Sequence, residues 1–245
     1  MPRYKLTVEY DGKPFVGWQK QKNGLSIQES IEDAACAFSG EKTNVYGAGR
    51  TDSGVHATGQ VCHLDFQKSY DVAVIQSAIN AHLRPATISI LSVHATNDNF
   101  DSRRDAKART YRYKIINRRA PLAIESGRAW WCPVSLNSKK MENATPYLLG
   151  QHDFSTFRAK ECQAASPIKT LDLLTVEHFQ DEIIITTKAR SFLHKQVRNI
   201  VGALYLVGKG SWTEKNLKTA LESKNRQEGG PTAPPDGLYL TKVDY

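Results

Sequence analysis

Two spacings of hydrophobic residues alternate along the first 100 residues. A period of two, typical of strands, occurs in residues 4–10, 43–46, 60–66 and 88–95. A period of three to four, typical of helices, occurs twice. The first helix is predicted to begin at Ser26, in a capping box with Glu29, and to end at Gly40. The second begins at Asp71 and ends before Pro85, which gives the strand and helix order of a ferredoxin-like split βαβ unit.

The second half of the chain is predicted to repeat this order of elements. Strands are expected at residues 110–117, 169–177, 182–189 and 238–243, and helices at 136–149 and 195–207. Pro146 would kink the first of these helices, and a further helix is predicted from the pair Ser211 and Glu214. The duplication lies in element order and not in sequence similarity. We therefore predict an α+β fold with two domains, residues 1–100 and 101–245.

A glycine-rich stretch, residues 47–60 (GAGRTDSGVHATGQ), lies between two predicted strands. Its four glycines allow the backbone to turn tightly or to approach another group closely. Asp52 is then the obvious group for chemistry, and we interpret it as a nucleophile. The alternative is a simple turn capped by a carboxylate. Two aromatic residues in the loop before the first helix, Phe15 and Trp18, either pack beneath it or meet a ligand, and we favour packing.

The charge of the chain suggests a polyanionic partner. The formal net charge is +8, and residues 101–119 hold eight basic residues against two acidic ones. Tyr111 and Tyr113 lie within this basic stretch, and cations mixed with aromatic rings suit single-stranded nucleic acid.

A second group of basic residues lies where a predicted strand passes into a helix, in ARSFLHKQVRNIVG. Its members are Arg190, His194, Lys195 and Arg198. They can be read as the solvated face of an amphipathic helix. Arg198, however, lies beside the apolar stripe, where a cation usually needs a carboxylate partner, and Asp52 and Arg50 are candidates for its neighbourhood. If the two halves face each other, Asp52 and Arg198 would meet in the cleft between them.

Other patterns limit the class of protein. The four cysteines form no C-x-x-C pair and have no histidines at metal-ligand spacing, so we expect reduced, mostly buried thiols. No apolar run approaches the ~20 residues needed to cross a bilayer, and the N-terminus lacks an apolar signal core. We therefore expect a cytoplasmic protein without a membrane segment.

Six stretches of the chain closely resemble the TruA-type tRNA pseudouridine synthases. In order they are YDGKPFVGWQKQ, GRTDSGVHATGQ, RTYRY, GQHDF, RSFLHKQVRNIVG and TAPPDGLYL, and they are distributed along nearly the whole chain, from residue 10 to residue 240. The resemblance implies conversion of uridine to pseudouridine at positions 38, 39 and 40 of the tRNA anticodon stem-loop, without cofactor or metal, by a homodimer. It also implies two ferredoxin-like (RRM-like) halves whose antiparallel sheets join across a central active-site cleft.

The resemblance also assigns roles to individual residues. It places the nucleophile at Asp52, a second family arginine at Arg50, the base-stacking tyrosine at Tyr111 and the arginine that pairs with the carboxylate at Arg198. Leu238 and Leu240 would line the base pocket. The basic residues expected to contact RNA are Arg103, Arg109, Arg190, His194 and Lys195. Whether Asp52 attacks the sugar at C1′ or the base stays open, since both routes need the same carboxylate.

Two other function classes compete with this interpretation. Paired ferredoxin-like sheets with basic and aromatic residues also describe RNA-binding modules without catalysis, although the aromatic consensus of such modules is missing. A metal- or histidine-dependent nuclease is the weaker alternative. Its candidate residues, His56, His63, His152 and His194, show no ligand spacing.

Overall fold

The structure is a computed structural model that describes all residues 1–245. The chain divides into two compact units. The first unit contains Met1–Lys107 and Tyr239–Tyr245, and the second contains Ala108–Leu238. Each combines helices with a mostly antiparallel sheet, in agreement with the predicted α+β class. None of the helices has the length and apolar character that crossing a membrane requires.

The strands are β1 (Arg3–Tyr10), β2 (Tyr46–Gly47), β3 (His56–Asp65), β4 (Ile88–Thr96), β5 (Ala108–Asn117), β6 (Trp130–Cys132), β7 (Gly150–Asp153), β8 (Ile168–Phe179), β9 (Glu182–Ala189) and β10 (Leu238–Asp244). The helices are α1 (Ile27–Ser39), α2 (Val72–Leu83), α3 (Ser138–Ala144), α4 (Gln196–Lys209) and α5 (Glu214–Ser223). Short 3-10 helices cover Thr145–Leu148, Ser155–Phe157, Arg226–Glu228 and Pro235–Gly237.

The sheet of the first unit follows the order β4-β1-β3-β10, with β2 paired to β3. Strand β1 runs antiparallel to both β3 and β4, and β10 runs parallel to β3. The period of two predicted for β1 is confirmed, because its buried residues are Tyr4, Leu6, Val8 and Tyr10. The predicted order of strands and helices over residues 1–100 is also confirmed.

Local capping signals place both helices of this unit correctly. The hydroxyl of Ser26 accepts the backbone N–H of Glu29 at 3.1 Å, and Gly40 ends α1 with a left-handed φ of 73°. The Glu29 carboxylate pairs with Lys20 at 2.9 Å. The bond accepted by Ser26 is therefore the half of the predicted capping box that the structure shows. The carboxylate of Asp71 caps α2 by accepting two backbone N–H groups.

The boundaries around the glycine-rich stretch differ from the prediction. The strand expected at residues 60–66 begins at His56, and the one expected at 43–46 is reduced to Tyr46–Gly47. Residues of β3 before Gln60 pair with Tyr10 of β1 and with β10, so their strand conformation depends on partners far away in the chain. Burial on both faces of β3 hides the alternation on which the prediction relied. The loop itself is therefore residues 48–55.

The sheet of the second unit follows the order β5-β9-β8-β7, all antiparallel, with β6 added parallel to β5. The helix predicted at 136–149 is divided, because α3 ends at Ala144 and a 3-10 turn containing Pro146 follows it. The predicted start of α5 at Ser211 was wrong. Thr213 caps this helix in a reciprocal box with Asn216, two residues later than the S-x-x-E pattern suggested.

Helix α4 is the centre of the second unit. All members of its predicted apolar stripe are buried: Val197, Ile200, Val201, Leu204 and Val207. The helix continues through Gly208 and ends at Gly210, whose φ is 82°. A Cβ added at Gly202 would lie 1.8 Å from the carbonyl oxygen of Pro231, so the segment around Pro231 rests directly on the helix backbone.

We predict that Gly202→Ala destabilises the protein, because the new methyl group overlaps the Pro231 carbonyl and overpacking of this kind costs about 1–3 kcal/mol. The free energy of unfolding, measured in urea, should fall by that amount. The control is Lys215→Ala on the exposed face of α5, which should change it by less than about 0.5 kcal/mol. Equal stability of Gly202→Ala and the wild type would contradict this close approach.

Candidate active site

The loop that carries Asp52 is hydrogen-bonded to β3 at its N-terminal end and continues into β3 at its C-terminal end. The backbone N–H of Ala48 donates to the carbonyl of Val61 at 2.7 Å, and the Gln60 side-chain amide donates to the carbonyl of Gly49 at 2.8 Å. Within the loop, the N–H of Val55 donates to the carbonyl of Asp52 at 3.1 Å and closes a tight turn. Asp52 therefore sits at the start of a turn whose two ends are anchored.

A second segment, residues 13–18, lies against this loop. Its Trp18 N–H donates to the carbonyl of Thr51 at 3.0 Å, and the Ser53 hydroxyl donates to the carbonyl of Phe15 at 3.1 Å. Gly17 forms a bridge with Asp52 itself at a φ of 112°, and a Cβ there would lie 2.7 Å from the Thr51 oxygen. Phe15 and Trp18 are each 3% exposed, which confirms that these aromatic residues pack beneath the loop.

The end of β1 supports the loop from the other side. The hydroxyls of Tyr10 and Thr51 are hydrogen-bonded at 2.8 Å in a buried contact. The N–H of Gly12 donates to Nδ1 of His56 at 3.1 Å, and the buried His56 ring stacks on Tyr239 at 4.7 Å. His56 thus supports the loop. The sequence analysis did not identify Tyr10 and Gly12 as supports of the loop. The glycines of YDGKPFVG were the available signal that this segment comes close to another part of the backbone.

This bracing fixes the backbone of Asp52 without burying its side chain. Asp52 is half-exposed and Arg50 is exposed, while the flanking Thr51 and Val55 are buried. A carboxylate in this setting can approach a substrate as a nucleophile or general base without a rearrangement of the backbone.

The predicted base-stacking residue lies in the second unit. Tyr111 is on β5, directly opposite Thr187 of β9, and its side chain is 9% exposed. The ring of Phe192 meets it edge-on, with centroids 5.2 Å apart and an interplanar angle of 90°. The sequence had not singled out Phe192, although an aromatic residue in the polar run RSFLHK was the available signal.

The loop before α4 contains most of the predicted RNA-contact residues. Arg190 and His194 are exposed and Lys195 is half-exposed. Arg109, expected to contact RNA, is 8% exposed, and its guanidinium donates to the carbonyl of Arg190 at 2.6 Å. It therefore holds this loop in position. The remaining predicted contact residue, Arg103, is exposed in the first unit.

Arg198 contacts the segment that precedes β10. Its Nε donates to the carbonyl of Ala233 at 2.8 Å, and the Ala233 N–H donates back to the Arg198 carbonyl at 3.0 Å. The hydroxyl of Tyr113 donates to the carbonyl of Pro234 at 2.7 Å, and burial raises the pKa of this tyrosine well above its usual value. Leu238 and Leu240, the predicted pocket residues that follow, are buried at 6% and 0% exposure.

Two further predictions concern charge and metal ligands. The basic stretch 101–119 is partly neutralised, since Lys114 pairs with Glu125 at 2.7 Å and Arg118 with Asp181 at 2.9 Å.

No group of three or more His, Cys, Asp or Glu side chains is arranged to hold a metal ion. The four cysteines are free thiols, but only Cys62 and Cys132 are buried, so the expectation of mostly buried thiols holds for two of the four. Burial raises the pKa of Cys62.

Known proteins resemble this chain over its full length. It is 51% identical over 245 residues to the tRNA pseudouridine synthase A of Parvibaculum lavamentivorans, covering 100% of both chains. It is 54% identical to that of Beijerinckia indica and 52% identical to that of Rhodospirillum rubrum, covering 100% of this chain and 94% and 88% of those proteins. A solved 3-hydroxy-3-methylglutaryl-coenzyme A reductase of Streptococcus pneumoniae aligns with 93% of this chain and 69% of its own at 12% identity, but its TM-score of 0.23 is too low to bear on the fold.

A family model described as tRNA pseudouridine synthase matches residues 6–104 and 144–245. These ranges contain the braced loop of Asp52 and all of α4. Together with full-length identities above 50%, the match shows that the chain belongs to the tRNA pseudouridine synthase family, whose members are isomerases that convert uridine in tRNA to pseudouridine.

Proposed function

We propose that this enzyme modifies uridines 38, 39 and 40 of the tRNA anticodon stem-loop, with Asp52 as its nucleophile. The single observation that supports the role of Asp52 most strongly is its bracing. The loop is bonded to β3 and to residues 15–18, yet the carboxylate side chain itself is half-exposed. The choice of positions 38 to 40 rests on the motifs that the chain shares with TruA-type enzymes.

The reaction requires only rearrangement within one nucleotide. The bond between N1 of uracil and C1′ of the ribose breaks, the base turns, and C5 bonds to the same C1′. The proton on C5 is lost and N1 gains one, so no external electrons or groups are consumed. Asp52 starts the process by nucleophilic attack at C1′ or at the base, or by removing a proton from the sugar.

Two residue types complete the proposed site. Tyr111 stacks on the detached uracil, since an aromatic face holds a base while permitting it to rotate. Arg198, fixed through its Nε to the Ala233 carbonyl, pairs with the nucleophilic carboxylate, and Arg50 adds positive charge beside it. Leu238 and Leu240 form the apolar wall of the base pocket.

The uridine has to leave its stack before Asp52 can reach it, which costs a few kcal/mol. Contacts to phosphates offset this cost, and the exposed residues proposed for them are Arg103, Arg190, His194 and Lys195. Arg109 acts indirectly, because its buried guanidinium holds the carbonyl of Arg190.

The remaining parts of the proposal concern architecture. We propose that residues 1–100 form one ferredoxin-like half, which carries the nucleophile, and that residues 101–245 form a second half, which carries Tyr111 and Arg198. On the family pattern, the two sheets join across a central cleft, and the enzyme is a cytoplasmic homodimer that needs neither cofactor nor metal.

We predict that Asp52→Asn abolishes activity, because an amide is neither an effective nucleophile nor a base. Unmodified tRNA labelled with tritium at uridine C5 would be incubated with each variant and release of the label followed. Release should fall below detection while the Kd for tRNA changes less than about threefold, since Asn is isosteric.

The matched control is Asp33→Asn, which alters an exposed carboxylate on α1 and should keep wild-type turnover. Undiminished release from Asp52→Asn would exclude the nucleophilic role. A wild-type protein that binds tRNA but releases no label would favour the RNA-binding module instead.

We predict that Tyr111→Phe keeps the stacking surface and retains most activity. Tyr111→Leu removes the stacking surface and should lower the activity. Stacking of a base on an aromatic ring is worth about 1–3 kcal/mol, so kcat/KM of the leucine variant should fall roughly 5- to 150-fold. The same release assay measures both variants. Equal activity of the phenylalanine and leucine variants would remove Tyr111 from the site.

A further inference from the structure

An exposed aromatic ring lies on β2, outside the site described above. Tyr46 is 52% exposed, and its ring stacks on the buried ring of His63, with centroids 5.1 Å apart and an interplanar angle of 20°. These two residues are also paired in register between β2 and β3. One face of Tyr46 is covered by His63, so the exposed area lies on its remaining surface.

The backbone of Tyr46 and the His63 ring on which it stacks are both held by Ser102. The Ser102 hydroxyl donates to the carbonyl of Tyr46 at 2.6 Å, and the Ser102 N–H donates to Nδ1 of His63 at 3.1 Å. Burial is the main reason that the pKa of His63 lies below its usual value, so this imidazole is neutral at neutral pH. Tyr46 is therefore a rigid platform that loses little freedom when a ligand stacks on it.

Further aromatic rings continue from this platform. Phe100 meets His63 edge-on at 6.0 Å and packs on Tyr245 at 5.0 Å, and the Tyr245 hydroxyl donates to the Ser102 carbonyl at 2.8 Å. The ammonium group of Lys5 lies 5.8 Å from the Phe100 ring and 5.5 Å from the Tyr245 ring. A cation is thus fixed over half-exposed aromatic rings.

Two exposed arginines follow Ser102 directly. The backbone N–H groups of Arg103 and Arg104 both donate to the Asp101 carboxylate, at 2.8 and 2.9 Å, which shapes the turn that carries them. The Nε of the exposed Arg104 side chain also lies 3.7 Å from this carboxylate. Aromatic platforms next to cations are the combination that single-stranded nucleic acid favours, because rings take bases and cations take phosphates. An acidic peptide would need the cations but not a flat exposed ring.

The platform lies on the strand that leads into the Asp52 loop. Tyr46 precedes Asp52 by six residues, and the loop begins at Ala48, whose N–H donates to the carbonyl of Val61, two residues from His63. Six residues of chain span at most about 20–22 Å. A base stacked on Tyr46 is therefore a neighbour of the reacting uridine. Because the Asp52 carboxylate, and not the Tyr46 ring, is the proposed nucleophile, this contact contributes to binding and not to the chemical step.

We propose that Tyr46 and the adjacent Arg103 and Arg104 form a second RNA-binding site, which stacks an unpaired base of the tRNA other than the reacting uridine. The assignment of this RNA as tRNA rests on the proposed function. The exposed ring, its fixed support and the neighbouring cations carry the proposal independently of Asp52.

Binding and turnover of the full-length protein test the site. Fluorescence anisotropy with labelled tRNA would give the Kd for the wild type, Tyr46→Ala and Tyr46→Phe, and label release would give kcat and KM. Loss of one stacked base should raise Kd and KM of the alanine variant roughly 5- to 150-fold with kcat unchanged, and the phenylalanine variant should restore both. Replacing Arg103 and Arg104 together by glutamine should reduce the slope of log Kd against log salt by about 1.4–1.8.

The matched control is Phe179→Ala. Phe179 is 73% exposed, but its neighbours in the β8–β9 turn include the acidic residues Glu177, Asp181 and Glu182, so its loss should leave the Kd for tRNA unchanged. An unchanged Kd in Tyr46→Ala, an equal effect of Phe179→Ala, or an equal loss in Tyr46→Phe would each overturn the site. Label release by Asp52→Asn would overturn the nucleophile and leave this site standing.

Discussion

The close approach of two backbone segments at Gly12 and Gly17 is the constraint on which the proposed site depends. A Cβ at Gly12 would lie 1.9 Å from the Val55 carbonyl oxygen, and one at Gly17 would lie 2.7 Å from that of Thr51. Glycine at both positions lets these segments come close enough to bond to the loop, and this bonding helps to hold a half-exposed aspartate in one place. The glycines outside the Asp52 loop therefore matter as much as those within it.

The second unit uses the same device around α4. Gly202 allows the Pro231 carbonyl to approach the helix, and two hydrogen bonds then join Arg198 to Ala233. A long cationic side chain would otherwise sample many rotamers. Its fixation explains how an arginine beside an apolar stripe can serve as a positioned cation and not as a solvated one. In both units, glycine makes room for a backbone contact, and that contact positions a charged residue.

A predicted boundary of a helix or strand was correct when the residues that set it are close to it in the chain. Helix α1 is set by Ser26 and Gly40, which act on their own helix ends, and both were predicted correctly. The start of β3 at His56 depends on pairing with β1 and β10, and no local pattern reports such partners. The cap at Thr213 competed with an equally plausible pattern at Ser211, because S-x-x-E and T-x-x-N both satisfy a helix N-terminus.

By itself, the sequence determined most of the elements, the motif around Asp52 and hence the family, because spacing, caps and motifs are written in consecutive residues. It did not predict the short strands β6 and β7. Tertiary structure decided what those residues contact. It buried Arg109 against the carbonyl of Arg190 and placed Phe192 against Tyr111. It also stacked Tyr46 on His63, whose Nδ1 accepts the N–H of Ser102. These contacts join residues that are up to 81 positions apart, so they form only when the sheets assemble. Exposure and partnership, which separate a binding residue from a supporting one, follow from that assembly.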